Sequence, residues 1–339
     1  MNGYEPLEGG LHIPQAGPHI PRVVLGMPAY SRPDALPRTL ESLLSQTYRD
    51  FALVIVDDCP SPETAAVVAS YAQDDPRVSY EANDVRLGMV GNWHKVFARA
   101  RERYPHSDYF AWVSDHDVWH ARWLEEMVAV LDARPDVVLA YPENLRIMPD
   151  DARMTEKRFD TVGITDRGER LRKSARYMLS GDMIYGLVRA EALAAAGIFH
   201  RVVTPDRQVL LALSLFGQVQ QVHEVLWYRE VLRVFDVKRQ REVFFPDGAP
   251  LYVYLPSHVQ HAATLLWDFA VRGKGRPAFG RLAAVRYAAI QLWTSFVRDL
   301  VLPKSDWRKK VSHYAIGRAL LTLIPTAGDD PVRRRVAEG

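Results

Sequence analysis

The 339-residue sequence predicts an α/β protein built on a mostly parallel sheet with helices on both faces. Three observations predict this class. Short apolar runs alternate with amphipathic segments of helical spacing from residue 22 to residue 142. The apolar runs show no polar alternation, which is typical of strands covered on both faces. Several runs end in carboxylates, and parallel strands bring their carboxyl ends to one edge of a sheet, where ligands bind.

The elements of the first half follow from the apolar spacing. Strands are expected at residues 23–27, 51–56, 78–81, 109–114 and 137–141. Helices are expected between them, because apolar residues recur every three or four positions over residues 36–44, 64–71, 90–103 and 121–133.

The second half has a weaker rhythm. Residues 143–165 are expected to form a long connection, and residues 230–255 a mobile lid or acceptor loop. Helices are predicted at 169–179, 191–196, 205–216 and after Pro256 in three segments around 265–269, 282–296 and 314–323. Short strands are predicted at 183–188, 219–222 and 225–228.

This rhythm suggests three regions. We expect a flexible leader over residues 1–21, a domain over 22–255 whose two halves meet near residue 142, and a basic helical extension over 256–339.

Composition narrows the class of protein. A hydrophobic content of 48% and a charged content of 25% are ordinary for a globular protein. The single cysteine, Cys59, excludes a disulfide framework and a cysteine-rich zinc site. No secretory signal or membrane span is recognisable, so we expect a cytoplasmic protein.

The net charge of +2 conceals an asymmetry. Residues 272–339 carry 14 Lys and Arg against 5 Asp and Glu, so the C-terminal part is basic and the preceding part acidic. A basic segment is typical of contact with an anionic surface such as lipid headgroups, although a solvated helical face gives the same pattern. Stable attachment needs two interfacial signals, and the sequence provides one.

Two acidic motifs follow predicted strands. Asp115 and Asp117 come after the run that ends at Ser114, and two hard oxygen ligands at a strand end suit Mg²⁺ or Mn²⁺. The alternative is that Asp117 caps the helix that follows. Asp57 and Asp58 follow the second strand, where they could also simply turn the chain.

Five motifs occur in a fixed order: Gly26-Met-Pro-Ala-Tyr30, Leu43-Leu-Ser-Gln-Thr-Tyr-Arg-Asp50, Val56-Asp-Asp-Cys-Pro-Ser-Pro-Glu-Thr64, Gly88-Met-Val-Gly-Asn92 and Ser114-Asp-His-Asp117. In this order they resemble the family 2 glycosyltransferases of the GT-A fold. The resemblance covers residues 22–142 strongly and 180–230 more loosely.

The resemblance implies a nucleotide-sugar site. Pro28 and Tyr30 match positions that frame the nucleotide base, and Arg86 lies where such enzymes place a basic group. Asp58 matches the acid that accepts the imide N–H of uracil or thymine. The implied donor is therefore a UDP-sugar or a dTDP-sugar.

The resemblance also implies a metal. Asp117 matches the residue that binds Mn²⁺ or Mg²⁺, and Asp115 the residue that contacts the ribose or assists the ion. His223 is a candidate further ligand or diphosphate contact, although a lone histidine between strands is more often structural. The ion would act as a Lewis acid on the leaving diphosphate.

The family inverts the anomeric centre, so a carboxylate must deprotonate the acceptor hydroxyl. Asp206, in Thr204-Pro-Asp-Arg-Gln208, is the candidate base, although Pro205 stands where many relatives have Glu. The alternative for Asp206 is a helix N-terminal acid that serves the dipole. Asp182 is the substitute base and a candidate acceptor contact.

The resulting hypothesis is a metal-assisted inverting glycosyltransferase that acts on a glycan or a lipid-linked acceptor and has no nucleic-acid partner. A catalytically inactive sugar-nucleotide-binding module is the alternative. A nucleotidyltransferase is disfavoured, because no Gly-rich basic loop follows the first strand. Peripheral membrane contact and homo-oligomerisation stay open.

Four tryptophans are expected near the cleft or in the core: Trp93, Trp112, Trp119 and Trp123.

Overall fold

The computed structural model describes residues 19–147, 153–155, 158–178, 180–230, 237–246, 248–274 and 278–301. The described chain is organised around one nine-stranded sheet. Alternate residues of its central strands enter two separate cores. Val24 and Phe110 belong to one core, whereas Leu25 and Ala111 belong to the other. Helices therefore cover both faces of the sheet, as the apolar runs predict.

The first half alternates strands and helices close to the predicted bounds. Its strands are β1 (Val23–Ala29), β2 (Phe51–Asp57), β3 (Val78–Ala82), β4 (Tyr109–Trp112) and β5 (Val118–Trp119). Its helices are α1 (Leu36–Leu44), α2 (Pro62–Asp74), α3 (Gly88–Arg103) and α4 (Trp123–Ala133). The α2 helix begins at an N-cap in which Ser61 Oγ accepts a hydrogen bond from Thr64 N at 3.1 Å.

The second half adds β6 (Val137–Ile147), β7 (Arg153–Thr155), β8 (Leu187–Arg189) and β9 (Gln218–Glu230). Its helices are α5 (Arg167–Tyr177), α6 (Ala190–Ala196), α7 (Pro205–Leu213), α8 (Val237–Phe244), α9 (Ser257–Leu265) and α10 (Arg281–Val301). Short 3₁₀ turns lie at Asp182–Tyr185 and Leu251–Tyr254, and a π-helical turn at Leu266–Val271 follows α9.

The strand order is β3-β2-β1-β4-β8-β6-β9-β5, with β7 paired to β6. The first four strands run parallel, whereas β8 lies antiparallel between β4 and β6, and β5 is antiparallel to β9. The predicted α/β class is confirmed, and the sheet is more mixed than the alternation of elements suggests.

Four predictions for the second half are wrong. The loop predicted over residues 230–255 contains the helix α8 and the 3₁₀ turn at Leu251–Tyr254. Residues 143–165 are not one connection, because β6 continues to Ile147 and pairs with β7. The two strands predicted within 219–228 are one strand, β9, whose register shifts between the pairs Pro142–Val222 and Glu143–Val225. The strand predicted at 183–188 is a 3₁₀ turn followed by the short β8.

The four tryptophans belong to the core. Trp112 and Trp123 are fully buried, and Trp93 and Trp119 nearly so, which leaves none of them to stack on a sugar. Of the two placements expected for them, the core is the one that the structure shows.

The predicted leader lies largely outside the described residues, as does the third C-terminal helix, predicted near 314–323. Among the described helices, none combines the length and apolarity that a membrane span requires.

Candidate functional site

The carboxyl ends of β1, β2 and β4 meet at one edge of the sheet. Tyr30 N, just after β1, donates to Asp115 Oδ2 at 2.7 Å, and Asp58 N, just after β2, donates to Ala29 O at 3.0 Å. The convergence expected from a parallel arrangement is thus present.

Asp58 anchors the loop that precedes α3. Its Oδ1 accepts from Leu87 N at 2.6 Å and from Asn83 Nδ2 at 2.8 Å, and its Oδ2 accepts from Gly88 N at 2.8 Å. Gly88 has a φ of +71°, a conformation that favours glycine. A carboxylate offers about four lone-pair sites, so three protein donors leave room for one more.

Tyr30 and Arg86 are brought together by that loop. The Arg86 guanidinium carbon lies 4.9 Å from the centroid of the Tyr30 ring, a cation–π contact, and Tyr30 is 44% exposed. Pro28 is buried within β1 and lies opposite Val56 of β2, so it belongs to the strand end that precedes Tyr30. An exposed aromatic ring with a cation beside it can stack on a nucleobase.

Asp115 and Asp117 are both buried, with His116 between them. His116 Nδ1 lies 2.7 Å from Asp115 Oδ1, and its Nε2 lies 4.0 Å from Asp117 Oδ1. Asp117 also accepts hydrogen bonds from Glu230 N at 3.0 Å and from Trp227 Nε1 at 3.1 Å. The Asp117 side chain therefore fixes the end of β9 against the loop after β4.

Burial raises the pKa of Asp117, and the positive field of His116 only partly opposes this. Burial also raises the pKa of Asp57, and the nearby charges of Asp115 and Asp58 raise it further. Burial works against a charged His116, but its hydrogen bond to Asp115 and the charge of Asp117 outweigh that effect and raise its pKa. The site thus concentrates negative charge that a cation would offset.

The pair Asp115 and Asp117 fits a hard divalent ion. Mg²⁺ usually binds through one or two carboxylates and fills its other positions with waters and substrate phosphates. Among the described residues, no group of three or more His, Cys, Asp or Glu side chains is arranged to hold a metal ion. Asp115 and Asp117 could therefore supply only part of the coordination of such an ion.

His223 is not part of this pair. Its side chain is 48% exposed, and its Nδ1 lies 3.5 Å from Glu143 Oε1. Val118 pairs with Tyr228, so Asp117 adjoins Arg229 in the sheet. Six residues of extended strand separate Arg229 from His223, roughly 20 Å. The prediction that His223 is a metal ligand is not supported by this placement.

Asp182 is held between two arginines. Its Oδ2 accepts from Arg146 Nε at 2.9 Å, and its Oδ1 accepts from Arg229 Nη1. Although burial alone would raise its pKa, the charges of Arg229 and Arg146 lower the pKa of Asp182 below its usual range. A carboxylate so stabilised is a weak proton acceptor, which disfavours the substitute base.

Asp206 lies in the first turn of α7, and its pKa is shifted in the direction opposite to that of Asp182. Burial and the charge of Asp182 raise the pKa of Asp206 to about 6, with Arg229 acting against them. A Cβ atom at Gly181 would overlap the Asp206 carboxyl, so only glycine leaves room for this side chain. A carboxyl group with a pKa near 6 can take a proton at neutral pH more readily than an ordinary aspartate.

Arg229 is the site residue that the sequence analysis missed. It binds Asp182, lies within the electrostatic reach of both Asp117 and Asp206, and has a pKa above its usual range. Its guanidinium carbon lies 5.7 Å from the Trp227 ring. The sequence feature that could have identified Arg229 is the segment Trp227-Tyr-Arg229. However, the position of Arg229 next to Asp117 depends on the long-range pairing of β9 with β5.

Comparison with known proteins gives a consistent result. Residues 25–191 match the family model described as Glycosyl transferase family 2. The succinoglycan biosynthesis protein ExoO of Rhizobium meliloti (strain 1021) is 36% identical over 91 residues, which are 27% of this chain and 26% of that protein. The UDP-Glc:alpha-D-GlcNAc-diphosphoundecaprenol beta-1,3-glucosyltransferase WfgD of Escherichia coli is 26% identical over 105 residues, 31% of this chain and 39% of that protein.

A solved structure agrees with the fold. The crystal structure of S. aureus TarS 1-349 in complex with UDP-GlcNAc has a TM-score of 0.56 and 14% identity, and the match covers 90% of this chain and 82% of that chain. This likeness concerns the fold alone. The chain spans less than half the length of the curated relatives it matches, between 15% and 43%.

Proposed function

Because this chain belongs to the family 2 glycosyltransferases through residues 25–191, we propose that it transfers a sugar from a UDP- or dTDP-sugar to a hydroxyl group, with inversion and with help from a divalent ion. One observation carries the proposal beyond the family: Asp206, with a pKa of about 6, lies in the same electrostatic network as Asp117 through Arg229. The electrostatic interaction of Arg229 with both carboxylates supports the proposal that Asp206 accepts a proton and Asp117 binds the ion.

The donor half is assigned to the converging strand ends. The Tyr30 ring and the Arg86 guanidinium would contact the nucleobase, and the acceptor site left on Asp58 would take the imide N–H of uracil or thymine. UDP-sugars appear in the names of WfgD and of the TarS complex, which supports this donor class.

Asp115 and Asp117 would hold Mg²⁺ or Mn²⁺, which when bound supplies positive charge to the leaving diphosphate. Arg229 would contribute a fixed second positive charge on the same side of the site.

Asp206 would act as the general base. It takes the proton of the acceptor hydroxyl while that oxygen forms a bond to the anomeric carbon and the bond to the diphosphate breaks. Asp182 instead holds Arg146 and Arg229 in place.

The acceptor class is proposed from the relatives. The printed name of WfgD includes a diphosphoundecaprenol-linked sugar, and that of ExoO a polysaccharide, succinoglycan. We propose a hydroxyl of a glycan, free or lipid-linked, as the acceptor.

The test is a turnover assay with a panel of UDP- and dTDP-sugars in the presence of Mn²⁺, with nucleoside diphosphate release as the readout. Asp206→Asn is expected to lower kcat by roughly 10²- to 10⁴-fold with little change in donor KM, because general-base catalysis contributes about that much. Asp74→Asn, at the exposed end of α2, is the matched control. Unchanged turnover in Asp206→Asn would remove Asp206 from the mechanism.

A second candidate function is a sugar-nucleotide-binding module without catalysis. Pro205 favours it, because the resemblance to the family implies a Glu at this position. In that case UDP-sugars would stabilise the protein against heat, yet no member of the panel would be turned over.

A further inference from the structure

The outer face of α10 is apolar, whereas its inner face is mixed, with Ala284, Ala288 and Val297 beside Gln291, Thr294 and Arg298. From Leu282 onward its exposed residues are all apolar except Arg286. We call six of them the α10 apolar face: Leu282, Val285, Ala289, Leu292, Trp293 and Phe296. Leu282 is 88% exposed and Trp293 is 51% exposed. Surface helices normally show the reverse pattern, with the apolar stripe towards the core.

Buried polar contacts fix this orientation. Arg298 Nη1 donates to Ala175 O of α5 at 2.8 Å, and Arg298 pairs with Asp299 at 2.6 Å. His258 Nδ1 of α9 lies 3.0 Å from Asp299 Oδ2. Rotating the helix to bury its apolar face would expose these partners and break their bonds, so the apolar face is held outward.

The π-helical turn extends the surface. Trp267 and Val271 are exposed on that turn, and Arg281 Nη2 donates to Val271 O at 3.4 Å. Contiguous exposed apolar surface of this kind marks an interaction site.

The charges around the face are of one sign. Within residues 257–274 and 278–301 the acidic residues are Asp268 and Asp299, and both are buried in ion pairs. The exposed charged residues there are Arg272, Arg281 and Arg286. A second copy of the chain would bring like charges together, whereas an anionic lipid surface would complement them.

We propose that the α10 apolar face docks onto the interface of an anionic lipid bilayer, with Arg272, Arg281 and Arg286 at the headgroups. Trp293 and Phe296 have the aromatic character that favours the boundary between water and acyl chains, and arginine attracts anionic headgroups. Stable membrane attachment needs two interfacial signals, and the α10 apolar face is the second one beside the basic C-terminal segment.

The test is flotation of the full chain with phosphatidylcholine vesicles, with or without phosphatidylglycerol. We expect binding to the mixed vesicles, weakened by salt, and a loss of at least about tenfold in partitioning for the double variant Leu282→Asp, Trp293→Asp. Ile20→Asp, at a 46% exposed apolar residue before β1, is the control and should bind like the wild type. Arg281→Glu with Arg286→Glu, which leaves the apolar face intact, should lose the preference for phosphatidylglycerol.

Four outcomes would overturn the proposal. The full chain could fail to float, or the double variant could float as well as the wild type. Alternatively, analytical ultracentrifugation could find a dimer that the double variant dissociates, without vesicle binding, which would assign the face to a second copy. A lowered melting temperature of the double variant without vesicle binding would assign it instead to residues 302–339 of the same chain.

Discussion

Asp206 illustrates how the side chain proposed as the general base can lower the stability of the folded state. Its pKa is raised to about 6 from the usual 3.8, so the folded state binds a proton more tightly than the unfolded chain. Between pH 4 and pH 6 the folded state therefore loses stability as pH rises, by about 3 kcal/mol for a shift of this size.

We therefore predict that Asp206→Asn raises the free energy of unfolding above pH 6 while it lowers turnover. The amide keeps the shape of the side chain and removes the buried charge. Urea unfolding at several pH values is the measurement, and the gain should vanish below about pH 4, where wild-type Asp206 is protonated in both states. A gain that is independent of pH would contradict the buried-charge explanation.

Gly181 is predicted to be essential for activity although it makes no chemistry itself. A Cβ in Gly181→Ala would overlap the Asp206 carboxyl and displace it, so turnover should fall at least tenfold, since small misplacements of reacting groups are costly. Gly280→Ala is the matched control, because nothing lies within 4 Å of a Cβ there. Equal activities of the two variants would show that the Asp206 position is not restricted.

At the scale of elements, β9 determines whether the site is assembled. It places Arg229 beside Asp182 and carries the Glu230 N–H that binds Asp117. Arg229 is the positive charge that opposes the raised pKa of Asp206.

Replacing Arg229 by Met should therefore raise the pKa of Asp206 and shift the acidic limb of the pH–rate profile to higher pH. The measurement is kcat/KM against pH, with Arg158→Met as a control, because the Arg158 side chain is 68% exposed and pairs with Glu143. An unshifted limb would mean that Arg229 does not act on the base.

The elements also mark the limit of prediction from sequence. Strands β1, β2 and β4 were predictable because their residues are buried on both faces and form uninterrupted apolar runs. The strand β9 was not, since polar and charged residues interrupt it and a bulge near His223 breaks its pattern. Asp115 and Asp117 could be identified from the local sequence after β4. The position of Arg229 in the site could not, because it depends on the contact of β9 with Asp117, which lies more than a hundred residues away in the sequence.

At the scale of the whole molecule, we expect ligand binding to stabilise both halves of the domain against heat together. A nucleotide sugar and Mn²⁺ that bind the folded state raise its melting temperature by mass action. We predict that Asp117→Ala abolishes the Mn²⁺-dependent part of the shift caused by UDP. His223→Ala should retain it, because His223 lies elsewhere on β9 and pairs with Glu143. Loss of the shift in His223→Ala would reinstate that residue as a ligand.

The Asp58 anchor has a consequence for how fast a donor can be captured. Leu87 and Gly88 are tied to Asp58 by hydrogen bonds within the chain, and Arg86 lies on Tyr30. The entropy of arranging this segment is spent during folding and not at each encounter. Association should consequently proceed in a single phase limited by diffusion and orientation, without a slow rearrangement of residues 83–88.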